Sequence, residues 1–128
     1  MQYEYFYGAQ AEQFSFYRIP KALFTEPNFR ELSTDAKVLY GILLDRMSLS
    51  LKNQWLDAQN KVYIIFTVEE IMDALNCANQ KATRLMVELE KQAGLIERKR
   101  QGLGRPNLIY VKNFAATING KSCEKGDS

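Results

Sequence analysis

The chain has 128 residues, 46% hydrophobic and 25% charged, with a formal net charge of +2; that is enough apolar material for one packed core and too little for two independent domains. It has no histidine and only two well-separated cysteines, Cys77 and Cys123, so it lacks the usual zinc ligands and the commonest general base; both cysteines read as free thiols, and no metal, cofactor or catalytic residue is assigned. Its longest mostly apolar stretch, Val38 to Leu44, is too short to cross a bilayer, and the opening MQYEYFYGAQ lacks the basic start and apolar run of a signal peptide, which argues against a membrane partner and predicts a cytoplasmic location.

In chain order, aromatics first alternate at Tyr3, Tyr5 and Tyr7, then at Phe14 and Phe16, around a polar connection from Gly8 to Gln13. This predicts a β-hairpin arm over residues 1–18. A lone hairpin cannot cover so many aromatics, so one face is expected to pack on the main domain or on a second subunit. The five aromatics are therefore the candidate dimerisation residues of a homodimer.

The main domain is expected over residues 19–114. Pro20 permits a short helical turn from Lys21 to Phe24, and Pro27 limits it by forcing Glu26 out of the α region. Ser33 is a credible N-cap, and Asp35 suits the positive end of a helix dipole. Ala36, Leu39, Tyr40, Leu43 and Met47 then recur at helical spacing, predicting a long helix to about Leu51. The polar segment 53–61, with Asp57 and Asn60 as turn formers, leads into the β-branched and aromatic run Val62 to Phe66, a short strand. Thr67 and Glu70 form a T-x-x-E capping box that starts a second helix at Val68, with Ile71, Met72 and Leu75 on its apolar face and Asn76 beyond its end. Asn79 is expected to cap a third helix burying Ala82, Leu85, Met86 and Leu89 and ending at Gly94. Strand, turn and strand follow: Ile96 to Arg100, Gln101 to Pro106 with Gly102 and Gly104, and Leu108 to Val111. From Asn113 the sequence is polar and without periodicity, so residues 115–128 read as a flexible tail or a linker to an absent C-terminal domain.

Helix, strand, helix, tight turn, helix and hairpin is the order of a winged helix-turn-helix, an α+β fold carrying here an N-terminal β-hairpin extension. Charge falls on its last two parts: residues 1–78 carry 7 basic and 10 acidic side chains, whereas residues 79–112 carry 8 and 3. Such a concentration of cations suits a polyanion, whose condensed counterions they displace. On the third helix, Asn79, Gln80, Lys81, Thr83 and Arg84 lie off the apolar stripe near its start, where a recognition helix meets base edges; arginine suits guanine, and glutamine or asparagine suits adenine. Each residue alone would equally suit a solvated helix face. The hairpin adds Arg98, Lys99, Arg100, Gln101, Arg105 and Asn107 as candidate contacts, with Arg105 near the tip placed to enter a narrow minor groove. Gly102-Leu103-Gly104 opens no helix and precedes no Lys-Ser or Lys-Thr pair, so no nucleotide site is read there. Asp57 and Glu69 read as turn and cap residues rather than catalytic carboxylates.

Three strings, FYRIPKALFTEPNFRELSTDAKVLYGILLDRMSLS, VYIIFTVEEIMDALNC and GLIERKRQGLGRPNLIYVKNF, resemble the RepA_N family of plasmid replication initiators. The resemblance implies a non-catalytic domain that binds repeated double-stranded DNA sequences (iterons) at a plasmid origin, generally as a dimer. It also implies a longer chain whose C-terminal domain engages host replication proteins. A winged-helix transcription regulator and a winged-helix protein-interaction module share the same residue patterns and stay open on those patterns alone.

Overall fold

The computed structural model describes residues 2–8 and 13–115. Its elements are α1 (Ala22–Thr25), a 3-10 turn (Pro27–Phe29), α2 (Thr34–Lys52), α3 (Val68–Leu75), α4 (Asn79–Val87) continued by a π turn (Glu88–Gln92), and the strands β1 (Ile96–Lys99) and β2 (Leu108–Val111). Pro27 stands at the first position of the 3-10 turn, and Glu26 before it is extended at φ −79°, ψ 132°, so α1 and the turn are separated where the pre-proline restriction demands.

α2 is the spine. Ser33 caps it, its Oγ accepting from the amide of Ala36 at 3.1 Å, and Leu39, Tyr40, Ile42 and Leu43 are buried along it. Against them pack Leu23 of α1, Ile71 of α3, Leu85 and Met86 of α4, Leu89 of the π turn, and Ile96 and Ile109 of the strands. Each such side chain contributes roughly 1.5–3 kcal/mol by leaving water, so the helices are held by shared burial more than by their own propensities. Gly41 faces the chain entering from the N-terminal arm. A Cβ there would sit 2.9 Å from Ile19 Cγ1 and 3.0 Å from the Arg18 carbonyl oxygen, so residues 18–19 cross α2 at a place where only glycine fits.

The two strands form one antiparallel ladder, Ile96 opposite Val111 through Lys99 opposite Leu108. Arg100, expected inside the first strand, lies beyond it. The expected strand Val62 to Phe66 contracts to isolated pairs, Leu56 with Val62 and Ile64 with Ile109. Ile64 and Ile109 exchange both backbone hydrogen bonds at 2.9 Å. On one side of this pair, Tyr63 donates its amide to the Trp55 carbonyl; on the other, Thr67 already caps α3. Neighbouring structure thus claims the backbone that a longer strand would need.

Three further expectations change. The N-terminal hairpin forms no β-ladder among the described residues: Phe6 and Phe14 meet ring edge to ring face at 6.0 Å, yet 2–8 and 13–18 contribute no strand. Its aromatics stay exposed, so no buried face pins a register; residues 9–12 of the expected connection lie outside the described residues. Asn79 is the first residue of α4 and not its cap; the cap position is Ala78. α3 ends on left-handed Asn76, with the Cys77 amide returning to the Met72 carbonyl at 3.0 Å, and the chain re-enters a helix two residues later. Finally, the segment from Asn113, expected to be structureless, begins ordered: the Phe114 ring lies 5.0 Å from that of Phe29 and 5.7 Å from that of Tyr40. The Tyr40 hydroxyl donates to the Lys112 carbonyl at 2.7 Å, and burial pushes its pKa up to about 12. Residues 116–128, the rest of the expected tail, and Cys123 within it lie outside the description, while Cys77 is a partly buried free thiol.

Candidate nucleic-acid interface

α4 buries Ala82, Leu85 and Met86 and turns Asn79, Gln80, Thr83 and Arg84 to solvent, as the 3.6-residue period dictates. Lys81 lies at the margin, its Nζ 2.7 Å from Asp35 Oδ2 at the start of α2; both partners are substantially exposed, so the pair is worth about 0–1 kcal/mol. No side chain caps α4, because Ala78 has none to offer. Val87 continues the outward stripe beyond Arg84 and is 40% exposed. It is an apolar residue off the buried stripe, which the helical period of the sequence could have singled out.

At the other end of α4, the π turn places two carboxylates, Glu88 and Glu90, on two different elements. Glu88, buried, accepts from the Ser33 amide with Oε1 and from the Ser33 hydroxyl with Oε2 at 3.0 Å. In a capping box the residue three beyond the cap supplies that carboxylate; here that residue is Ala36, and Glu88, 55 positions away, takes over the role. Glu90 accepts from Arg98 three times, from Nη2 at 2.8 Å, from Nε at 3.0 Å and from the backbone amide at 3.1 Å. Partial burial alone pushes the Glu90 carboxyl up, but the Arg98 donors outweigh it and hold the group below the ordinary carboxylate range.

Arg98, a candidate DNA contact by sequence, is therefore turned back onto the π turn that continues α4. Lys99, Arg100, Gln101, Arg105 and Asn107 are exposed. Among the described residues Arg84, Lys99, Arg100 and Arg105 make no ion pair and no side-chain hydrogen bond. The wing loop closes on itself: Gln101 Nε2 donates to the Pro106 carbonyl at 2.8 Å and the Arg105 amide to that of Gly102 at 3.3 Å. Gly102 and Gly104, at φ +124° and +75°, supply the positive torsions the loop requires. Between them Leu103 is fully exposed at the tip.

The opposite flank of β2 is structural. Tyr110 donates its hydroxyl to Asp57 Oδ2 at 3.0 Å, and the Lys61 amide, then the Gln59 amide, donate to Asp57 Oδ1. The Lys61 amide foremost, with these other donors, lowers the Asp57 carboxyl from its ordinary value. Asp57 is thus a turn residue, as expected, and Glu69 sits in the first turn of α3. No three His, Cys, Asp or Glu side chains among the described residues cluster where they could share a metal. None of the described helices is long and apolar enough to cross a membrane.

Helix, turn, helix and a two-stranded wing, all packed on one long helix, define a winged helix-turn-helix module of the α+β class. Solved structures share this arrangement. One described as "N-Terminal domain of DNA binding protein" matches with a TM-score of 0.72 and 36% identity, covering 99% of this chain and 98% of that one. Another, "Structure of Rep-DNA complex", matches with a TM-score of 0.72 and 39% identity over 86% and 84% of the two chains. A third, "Structure of MDR initiator", gives 0.69 and 40% over 86% of each. The family model for the replication initiator protein A (RepA) N-terminus matches residues 15–125, and the chain belongs to that family. A curated relative, the "41 kDa protein" of Lactobacillus helveticus, is 32% identical over 103 residues; the match takes in 80% of this chain and 28% of the relative's length.

Proposed function

We propose that this domain binds a specific double-stranded DNA sequence, the iterons of a plasmid origin, and thereby helps to initiate plasmid replication without catalysing a chemical step. The observation that carries this reading is the set of four exposed arginines and lysines without partners among the described residues, Arg84, Lys99, Arg100 and Arg105, on the two elements with which a winged helix meets duplex. In this reading α4 enters the major groove, with Asn79, Gln80, Thr83 and Arg84 at base edges and Lys81 nearby. Lys99, Arg100, Gln101 and Asn107 follow the backbone, and Arg105 enters the minor groove. The solved relative described as a Rep-DNA complex supports duplex DNA as the partner.

Pairing of two copies is assigned to the aromatic arm. Tyr3, Tyr5, Tyr7, Phe14 and Phe16 are each more than half exposed, more apolar surface than a solitary domain ordinarily leaves in water. Contacts with host replication proteins belong, in this reading, to a separate C-terminal domain.

The test is fluorescence anisotropy of the chain on a duplex carrying tandem origin repeats and on a scrambled duplex, across salt concentrations. Repeat-dependent binding whose affinity falls steeply with salt is expected. The Arg84→Ala variant should lose about 1–3 kcal/mol on the repeat duplex and little on the scrambled one. Equal, weak binding of the unmodified chain to both duplexes would rule out sequence-specific recognition.

A further inference from the structure

A basic residue at the root of a wing invites the reading that it holds a phosphate. Arg98 does not fit it. Its guanidinium is engaged by Glu90 through Nη2 and Nε, its backbone amide goes to the same carboxylate, and the side chains of the pair are only 26% and 16% exposed. An arginine already neutralised and half-buried adds little to the field that a polyanion meets.

Glu90 lies in the π turn that continues α4, where Glu88, Leu89 and Glu90 are all buried or half-buried in succession. Glu88 meets Ser33 at the start of α2, and Glu90 meets Arg98 on β1. Extra residues inserted in this way into a helix often mark a functional position.

We infer that Glu90 is a positioning residue for DNA recognition: through its fork on Arg98 it fixes the wing to the recognition helix, and Arg98 itself is no DNA ligand. This rests on the proposed DNA-binding function. Reading a site with both elements requires their separation to be set before the duplex arrives, because a wing free to swing would lose that ordering entropy on binding. A lysine at position 98 would keep the charge but lack the planar fork that spans a carboxylate.

The experiment uses the whole chain and two probes, a duplex enriched by the unmodified chain from a random pool and a random-sequence duplex, with the variants Glu90→Gln, Glu90→Asp, Arg98→Lys and Glu90→Gln/Arg98→Lys. Glu90→Gln and Arg98→Lys should each lower affinity for the enriched duplex by about tenfold, the double variant no further, because both remove one interaction. Affinity for the random duplex should hold or rise, and Glu90→Asp should recover part of the loss. Without DNA, hydrogen exchange of the β1 and β2 amides should quicken in Glu90→Gln while the amides of α2 stay protected.

The inference is overturned if Glu90→Gln tightens both duplexes by the same factor, which would make Arg98 a phosphate ligand damped by its neighbour. Full retention of affinity and of the salt slope by Arg98→Lys, equal losses on both duplexes, or unchanged wing exchange would overturn it too. Failure of the DNA-binding reading shows itself separately: the unmodified chain would enrich no duplex, while the exchange measurement would still report whether Glu90 holds the wing.

Discussion

The two helices of the helix-turn-helix start in opposite ways. At α3 the Thr67 hydroxyl accepts from the Glu70 amide at 3.2 Å, and the Glu70 carboxylate accepts from the Thr67 amide at 3.0 Å, so the helix start is satisfied from within. α4 starts on Ala78 with no side-chain cap, and its first turns present polar residues outward. At its far end the balance reverses: Glu88 and Glu90 tie the π turn to α2 and to the wing. α3 closes its own start, whereas α4, for which the reading of base edges is proposed, leaves its start open and draws its order from tertiary contacts at its other end.

Four measurements break or sharpen that contrast. Removing the far anchor has the largest expected effect: Glu88→Ala strips the start of α2 of a long-range acceptor and should cost about 1–3 kcal/mol in urea denaturation, since a partly buried amide loses its partner. Thr67→Ala opens the start of α3 and should cost about 1 kcal/mol in the same assay, with no change in DNA affinity. Ala78→Ser gives α4 the cap that it lacks and should stabilise the domain by somewhat less, about 0.5–1 kcal/mol; weaker DNA binding in that variant would show that the open start serves recognition. The smallest effect is in pH. The folded Glu90 carboxyl titrates below its ordinary value of 4.5, so its contribution is fully present above that value and is lost as pH falls through the lowered folded one. The stability difference between the unmodified chain and Glu90→Gln should therefore be constant near neutrality and should shrink in acid.

Most of the fold was readable because its signals are local. Ser33, the Thr67 and Glu70 pair, left-handed Asn76, Gly94 at φ +66° and the glycines of the wing act within four residues of themselves, and the burial stripe of α4 follows the helical period, whereas α2 is buried or half-buried all round over residues 36–44. Distance hid the rest. Nothing near Glu88 announces that it caps a helix 55 residues earlier, and nothing in Arg98 distinguishes a phosphate ligand from the partner of Glu90. Asn79 carries the right chemistry for a cap one position too late, because the turn after Asn76 takes only Cys77 and Ala78. The run Val62 to Phe66 has strand composition, but Trp55 and Thr67 claim its neighbours, a competition invisible to propensity. In the arm, alternating aromatics predicted pairing, yet alternation specifies a register only where one face is covered.

The crossing of residues 18–19 over Gly41 ties together two parts of the chain that otherwise look independent. A Cβ at position 41 would meet the Arg18 carbonyl oxygen as well as Ile19 Cγ1, so shortening residue 19 does not by itself open the site, and in a library of variants position 41 should stay glycine whatever residue stands at 19. The arm's outer aromatics are exposed, but its inner end is held in step with α2. Its point of departure from the domain is thereby inherited as a feature of the helix.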